Sequence, residues 1–497
     1  MKNRKKTISL VILAALFFTA VCGCQAAPDS TAVTSKNDGA FESALEAAAD
    51  VQTEAEDDLV SIQEPVTYTD SFTNTDGDIT YQVELDIPAI TSAMPVLRVR
   101  PKTITAECAQ HVAEVLFGDA DIYEYSETRT RAELEDMILS LRQLLANQDA
   151  MEEKYGAMKD EMAEQIEAEI TKYEDEYATA PETEGTSLCS WEFHPRSWYV
   201  AEADRGVPVA IDQVMIGDNK SQYIVATSER DGLHYIFAVC NREEDDYRMH
   251  TIACAINEEM YSSQIPTEAE IAAAQDEAKE LLTAMDLGQW VIDSCVTEST
   301  PSMPGSDAYS IVITACPVYN GVKVSHQQQM AFLNTADAYA SNYYYEEMVF
   351  TFSGGHLVSF KYISPMDVAE VVNENVAILS FEEAMEICKG RLQMNTLTAE
   401  PYALGRFYQM VMFYPSADMN VDVYQAELGL ARTRVKDNAT DFYLLPAYTF
   451  RASYSLYDKN GQLLLDGNDL EPRTLYASEL LVISALDGSV INTELGY

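Results

Sequence analysis

Hydrophobic and polar residues alternate along much of the chain with the two-residue period of β-strands, and helical spacing replaces this pattern in only a few places. The stretch 79–87 alternates strictly and follows a turn-forming run at 74–78, which predicts a half-buried strand entered from a tight turn. The stretch 105–117 has apolar residues every three or four positions and predicts a helix. Further helices open at capping boxes that begin with Thr267 and Ser380. The pattern favours an α+β fold, in which antiparallel sheets each carry one packed helix.

One long stretch, at about 130–178, keeps helical spacing throughout. Leucine and isoleucine recur from Leu134 onwards, and tyrosine, methionine and isoleucine continue the apolar stripe in the second half. The run 146–149 is the best place for a break. The stretch therefore predicts a long helical hairpin, zipped along its two apolar stripes and acidic on its outer face. Two roles remain open for it: a hairpin that only packs on itself, and an arm that docks on a partner.

A pattern of strand, glycine turn and strand is repeated in the sequence. The stretches 348–359 and 481–492 match each other, and each closes a unit that begins with a capped helix. A weaker copy surrounds Asp231 and Gly232. We therefore predict tandem α+β modules with the helical hairpin inserted into the first of them. The predicted modules span residues 63–262, 263–367 and 368–497.

The first 24 residues have the order of a secretion signal. Basic residues within 2–6 precede an apolar stretch at 7–21 that is too short to span a bilayer. The following Val-Cys-Gly-Cys at 21–24 resembles the lipobox of bacterial lipoproteins, with an aliphatic residue at the third position before the modified cysteine and a small residue immediately before it. Cys22 departs from that pattern, because Ala or Ser is usual there. The resemblance implies that residues 1–23 are a cleaved signal peptide and that Cys24 is the lipidated residue.

Acylation of Cys24, by palmitate-type chains, would hold the protein on the outer face of the cell membrane, because two or more acyl chains together anchor a protein firmly. Residues 24–62 are rich in Ala, Ser, Thr, Asp and Glu, which predicts a flexible tether. No later segment is long and apolar enough to span a bilayer, so the lipid would be the only membrane contact. Simple secretion and an uncleaved anchor are the alternatives.

The chain is strongly acidic, with 81 Asp and Glu against 32 Lys and Arg and a net charge of −49 over 497 residues. Because neutralisation of phosphates needs clustered positive charge, nucleic acids and anionic membrane surfaces are disfavoured as partners. Hydrophobic residues make up 47 %, which is enough for packed cores and argues against a disordered chain.

The seven cysteines beyond the signal region are scattered and include no Cys-x-x-Cys pair. Several lie in apolar runs, where a cysteine behaves as a small buried hydrophobe, so mostly free thiols are expected. Cys240 and Cys254 are the best candidates for a disulfide, because they lie on two neighbouring predicted strands.

No catalytic, cofactor-binding or metal-binding residue is predicted. The six histidines lack the spacing of a zinc site, His356 reads as a turn residue, and the nucleophile-elbow, phosphate-loop and dinucleotide motifs are absent. The oxygen-rich runs 74–78 and 458–469 suggest calcium loops, but the first lacks the required glycine and the final carboxylate, and hairpin turns explain both more simply. With 81 acidic residues, chance carboxylate pairs are unavoidable, so no glycosidase pair can be singled out.

Two groups of aromatic residues are candidates for ligand contacts. Tyr343, Tyr344 and Tyr345 could offer a carbohydrate-stacking platform, although neighbouring strand residues point to opposite faces and packing is the simpler reading. Trp191 and Trp198 could line a pocket.

The helix that opens at 380–384 and the hairpin at 481–491 together resemble PepSY-like domains. The arrangement is also similar to the extracytoplasmic accessory regulators of a cell-wall histidine kinase in Gram-positive bacteria, and the whole chain to uncharacterised lipoproteins of Gram-positive gut anaerobes. These resemblances imply a surface protein that binds or restrains another protein and has no catalytic residues.

The leading hypothesis is therefore a non-enzymatic, lipid-anchored binding or regulatory protein of the cell envelope, whose partner is an envelope protein or peptide. A solute- or glycan-binding lipoprotein of a transporter is the first alternative, with a cleft lined by the tryptophans. A hydrolase that uses acidic residues is the second, with a buried carboxylate pair. The sequence leaves the oligomeric state open.

Overall fold

In the structure, a computed structural model, strands form where apolar residues alternate, and helices form where apolar residues recur every three or four positions. In the alternating stretch Ile79–Ile87, the five odd-numbered residues are buried and the polar residues between them face outwards. All described residues belong to one compact unit, Ala48–Tyr497. The structure describes residues 65–89, 93–125, 130–156, 159–180, 182, 187–195, 221–244, 247–256, 262–303, 306–325, 345–394, 418–435, 438, 440–466 and 479–491.

The strands, in chain order, are β1 (Val66–Thr73), β2 (Ile79–Ile87), β3 (Val96–Pro101), β4 (Tyr123–Glu124), β5 (His194–Pro195), β6 (Gln222–Arg230), β7 (Leu233–Glu244), β8 (Tyr247–Ile256), β9 (Gln289–Met303), β10 (Ser306–Tyr319), β11 (Val322–Lys323), β12 (Glu347–Ser353), β13 (His356–Ile363), β14 (Met366–Asn373), β15 (Asp418–Arg434), β16 (Phe442–Tyr457), β17 (Leu463–Asp466) and β18 (Glu479–Ser484). The helices are α1 (Ala106–Phe117), α2 (Arg131–Ala146), α3 (Gln148–Tyr155), α4 (Lys159–Tyr177), α5 (Glu268–Met285) and α6 (Phe381–Met394). The prediction of an α+β fold with antiparallel-rich sheets is confirmed.

The first sheet has the strand order β1-β2-β15-β16-β3-β14, and β17 and β18 also pair with β16. Its pairs are antiparallel except that β2 and β15 run parallel. Helix α6 covers one face, where Phe381 and Met385 are fully buried in a core shared with Tyr448 and Phe450. The Phe381 and Tyr448 rings meet edge to face at 6.1 Å.

The second sheet has the order β11-β10-β12-β13-β8-β7-β6-β4, with β5 paired to β6 and β9 paired to β10. Helices α1 and α5 lie on one face and bury Phe117 and Met285 in a core with Phe237, Phe350 and Phe360. The capping boxes expected at the starts of α5 and α6 are both present, since each starting hydroxyl accepts from the backbone N–H three residues on.

The two sheets are nested in sequence. Strands β4–β13 build the second sheet, and they lie between β3 and β14, which are neighbours in the first. The first sheet therefore joins residues from the first and last thirds of the chain. The boundaries expected at 262/263 and 367/368 stay predictions, and the second of them falls within β14.

The sheets meet where the chain leaves β11 and runs beside β15. Val324 forms a parallel bridge with Leu430, and the Ser325 N–H donates to the Leu430 carbonyl oxygen at 2.9 Å. Gly429 allows this approach, because a Cβ at that position would lie 2.9 Å from the Lys323 carbonyl oxygen. A side chain of any size at position 429 would therefore push the two sheets apart.

Charged groups add to this contact. The Lys323 Nζ lies 2.6 Å from a carboxylate oxygen of Asp293 and 2.6 Å from one of Glu427, so one ammonium joins β9 to β15. Burial lowers the pKa of Lys323, but the two carboxylates outweigh that effect and the net pKa is raised. Nearby, the buried Arg432 guanidinium lies 4.3 Å from the centre of the Tyr345 ring. Each of these cations thus faces carboxylates or an aromatic ring, which offsets part of the cost of burying its charge.

Helices α2, α3 and α4 form an arm. Thr130 and Glu133 make a capping box at its start, and Asn147 lies between α2 and α3, within the run where the break was expected. A third helix, not expected from the sequence, arises because Gly156 adopts a positive φ and ends α3. The arm has a hydrophobic cluster made wholly of its own residues: Leu134, Ile138, Met151, Ile166, Ile170, Tyr173 and Ala180. No helix in the described ranges is long and apolar enough to cross a membrane.

Candidate functional site

A groove of about 560 Å³ lies between helix α5 and the first residues of strand β9. The helix contributes Lys279, Leu282, Thr283 and Asp286, and the strand side contributes Gly288, Trp290, Val291 and Ile292. The groove is therefore lined by apolar side chains together with a hydroxyl, an ammonium and a carboxylate, the last three from the α5 side.

The local sequence produces this groove at the end of α5. Asp286 adopts the left-handed conformation and Gly288 has a φ of 108°, so the chain turns within three residues from the helix into β9. The helix residues that line the groove are spaced three or four apart, which places them on one side of the helix. Helix and strand are thus held side by side by a short connection.

Trp290 is the largest side chain in the groove and is half-buried. Its indole N–H donates to the Leu287 carbonyl oxygen at 3.3 Å, and its ring meets the Tyr362 ring edge to face at 5.6 Å. Two contacts therefore set the orientation of the indole before any ligand arrives.

Behind Tyr362 lies a buried carboxyl group, that of Glu346, which is 8 % exposed. The Tyr319 hydroxyl donates to one of its oxygens at 2.6 Å, and the Tyr362 hydroxyl donates to the other at 2.9 Å. Burial raises the pKa of Glu346 to about 7, although these hydroxyls and the Met366 N–H oppose that rise. Burial and the neighbouring carboxyl raise the pKa of both tyrosines. Glu346 therefore titrates near neutral pH in a site closed to solvent.

Sequence reasoning missed both Trp290 and Glu346. The burial of Glu346 could have been predicted from the sequence. It lies two residues before Met348, so it points to the same face as Met348, Phe350 and Phe352, which are all buried in the core beneath the helices. A carboxylate at an inward position predicts a buried acid. The role of Trp290 is less evident from the sequence, where it is only an aromatic residue soon after the expected helix end at Leu287 and Gly288.

The residues that the sequence singled out for ligand contacts do not meet in one place among the described residues. Trp191 packs edge to face against Phe237 at 6.1 Å, on the helix-covered side of the second sheet. Tyr345 is buried beneath Arg432. Trp198, Tyr343 and Tyr344 lie outside the described residues, as do Cys24, the signal peptide 1–23 and the tether 24–62.

The first oxygen-rich run, 74–78, and the start of the second, 458–461, are turns; residues 467–469 of the second run lie outside the described residues. The Asn74 side-chain oxygen accepts from the Asp78 and Ile79 N–H groups, and a carboxylate oxygen of Asp458 accepts from the Asn460 and Gln462 N–H groups. These oxygens therefore cap their own backbone. Within the described ranges, no three His, Cys, Asp or Glu side chains are grouped as a metal site would need.

The candidate disulfide between Cys240 and Cys254 is not formed. Cys240 pairs with Thr251 across β7 and β8, and Cys254 pairs with Phe237. Cys254 belongs to the core beneath the helices, whereas Cys240 belongs to a cluster on the opposite face of the sheet. The sheet itself separates the two sulfur atoms. Six described cysteines are free thiols: Cys108, Cys189, Cys254, Cys295, Cys316 and Cys388.

Comparisons with known proteins add little. No protein-family model matches the chain, and no curated protein matches it. Among solved structures, the chain is similar to an uncharacterized protein from Eubacterium rectale ATCC 33656, with 9 % identity over 90 % of this chain and 98 % of the other. The TM-score is 0.38.

Proposed function

We propose that the protein is a non-enzymatic, lipid-anchored binding or regulatory protein on the outer face of the cell membrane, with an envelope protein or peptide as its partner. Cys24 would carry the acyl chains, and residues 24–62 would hold the folded body away from the bilayer. Membrane contact would be made by the lipid alone, and nucleic acid is not a partner.

The arm formed by α2, α3 and α4 is the observation that carries this proposal. Most of its apolar residues are used in its own core, with Leu139 and Tyr177 exposed, and its polar faces lie at the surface. Helix α4 exposes seven carboxylates: Asp160, Glu161, Glu164, Glu167, Glu169, Glu174 and Asp175. A self-contained, acidic arm suits the docking of a basic partner, because such charge steers association and selects against acidic surfaces.

The two sheet-and-helix layers would be the body that presents this arm. We propose the arm to be the predicted helical hairpin with one added short helix. Division of the body into tandem modules remains part of the proposal.

Crosslinking on intact cells followed by mass spectrometry tests the function. Wild type is expected to crosslink to one membrane protein, and replacement of Glu161, Glu164 and Glu167 by glutamine is expected to reduce those crosslinks severalfold, because the arm loses the charge that attracts a basic partner. A matched control replaces three exposed glutamates outside the arm, Glu84, Glu374 and Glu382, by glutamine and should keep the wild-type crosslinks. A Cys24→Ala chain should leave the membrane fraction. Absence of any specific partner would overturn the proposal.

A solute- or glycan-binding lipoprotein of a transporter is the second candidate, because the groove at Trp290 offers an aromatic surface beside a hydroxyl, an ammonium and a carboxylate. An acidic-residue hydrolase receives less support. The buried carboxyl of Glu346 is held by two tyrosine hydroxyls and a backbone N–H, and not by a second carboxyl group.

A further inference from the structure

The groove between α5 and β9 runs along the edge of a strand. Trp290, Val291 and Ile292 are consecutive, and successive strand residues point to opposite faces of a sheet. A groove that touches all three must therefore follow the strand edge and not one face. Within the described part of the chain, β9 pairs with β10 alone, so this edge is the outer one.

An outer strand edge presents N–H and C=O groups to which another extended chain can pair. A helix lying beside such an edge adds a wall on which the side chains of the incoming strand can rest, and this is how several peptide-binding domains take an extended ligand. Here the wall is the side of α5 that carries Leu282 and Thr283, and Val291 is 40 % exposed. In such a complex the strand backbone would supply hydrogen bonds and the apolar residues of the groove would receive one side chain.

The charge around the groove selects the ligand. Helix α5 has five carboxylates and a single basic residue, and Asp286 adds another carboxylate at its end. The one base, Lys279, lies with its Nζ 3.0 Å from a carboxylate oxygen of Asp276. The two charged residues that line the groove, Lys279 and Asp286, offset each other, but the other carboxylates of α5 and the net charge of −49 make the surroundings negative, which favours lysine or arginine in an extended ligand. A second copy of this chain is disfavoured as the occupant, because each copy carries a net charge of −49.

We propose that the groove between α5 and β9 binds an extended, basic segment of an envelope protein, which adds to β9 as a further strand and places one apolar side chain against Trp290. This inference rests on the proposed function and names the site and the chemistry of its partner.

The probe is a fluorescein-labelled nonapeptide in which lysine and valine alternate around a central leucine, and binding to the purified full chain in detergent is followed by fluorescence anisotropy. Saturable binding is expected. Thr283→Trp fills the groove and should weaken binding by about tenfold or more, which corresponds to about 1.4 kcal/mol. Thr69→Trp on β1 of the first sheet is the control, since Thr69 is also an exposed threonine and lies neither in the groove nor on the arm. The control should bind like wild type.

Two further peptides separate strand addition from other binding. One carries N-methyl groups on alternate backbone nitrogens, and the other has glutamate in place of lysine; both should bind about tenfold more weakly or worse. Equal binding of the N-methylated peptide, equal binding by the Thr283→Trp chain, or no binding up to about 1 mM would overturn the inference. Binding of a chito-oligosaccharide in the groove without the peptide would overturn it in favour of the glycan-binding function.

These outcomes are separate from those of the cell experiment. Peptide binding is measured on the purified chain, so it persists even if no envelope partner is crosslinked. If the peptide does not bind but the crosslinks to the envelope partner persist, the groove is not the binding site and the proposed function is unaffected.

Discussion

At the scale of single residues, Glu346 is a buried carboxyl group whose pKa is raised. Its carboxyl group is enclosed by Tyr319, Tyr362 and the Met366 backbone, and burial raises its pKa to about 7. A group whose pKa is higher in the folded than in the unfolded chain stabilises the fold at low pH and loses that contribution as pH rises. This loss of stability occurs between pH 4.5, the ordinary pKa of a glutamate, and about pH 7, its pKa in the folded chain.

Replacement of Glu346 by glutamine tests this window. Wild type is expected to lose up to about 3 kcal/mol of unfolding free energy across it, because a tenfold change in proton affinity is worth about 1.4 kcal/mol. Glu346→Gln keeps an acceptor for one tyrosine and cannot ionise, so its stability should fall less over the same window. Urea unfolding at a series of pH values measures the difference.

The exposed Glu84 provides the control for that experiment, because Glu84→Gln should follow the wild-type pH profile. A Glu346→Gln profile that is also parallel to wild type would show that the carboxyl group is not held as the structure indicates.

At the scale of elements, the contact between the sheets depends on a residue without a side chain. A Cβ on Gly429 would lie 2.5 Å from the Ser325 Oγ and 2.9 Å from the Lys323 carbonyl oxygen. The hydroxyl can rotate away, but the carbonyl belongs to the backbone that bridges β11 and β15. The close approach of two elements therefore requires glycine at this position.

Gly429→Ala is expected to destabilise the protein by about 1–3 kcal/mol, because the added methyl group forces the backbones apart. The control is Gly390→Ala in the interior of α6, where a Cβ meets nothing within 4 Å. That change should stabilise by up to about 1 kcal/mol, since alanine favours helix more than glycine does. Thermal unfolding of the two variants gives the comparison, and equal melting temperatures would contradict it.

At the scale of the whole molecule, charge dominates. A net charge of −49 repels itself in the compact state, and the ion pairs of the described chain offset only part of it. Salt shortens the range of this repulsion, from about 30 Å at 0.01 M to about 3 Å at 1 M.

Sodium chloride is therefore expected to raise the melting temperature, by a few degrees between about 0.01 M and 0.5 M. Calorimetry measures the change, and potassium chloride should act equally because screening depends on ionic strength. A melting temperature that is insensitive to both salts would contradict the argument. A rise caused by micromolar calcium alone would reveal a cation site instead.

Part of this architecture was predictable because its signals are local. The alternation of Ile79–Ile87, the capping boxes at Thr267 and Ser380 and the turn at Asp231 and Gly232 depend on residues within a few positions of one another. The same locality predicted the acidic arm and the break near Asn147. It missed the helix end at Gly156, where one residue with positive φ interrupts an otherwise helical pattern.

The candidate site was not predictable in the same way. The groove needs α5 to lie beside the edge of β9, and that depends on how both pack on the second sheet. The candidate disulfide is absent for a related reason. The sequence placed Cys240 and Cys254 correctly on neighbouring strands, but only strand register decides which face of the sheet each occupies.

By itself, the sequence determined the fold class, the strongly acidic character, the helical character of the stretch that forms α2, α3 and α4, and the signals at several element ends, because these follow from composition and from short-range periodicity. Tertiary structure alone decided the nesting of one sheet within the other, the burial of Glu346, the close contact at Gly429 and the groove at Trp290. Each of these joins residues that are far apart in the chain or on different elements. Their meeting is set by the packing of whole sheets and helices, which no local pattern encodes.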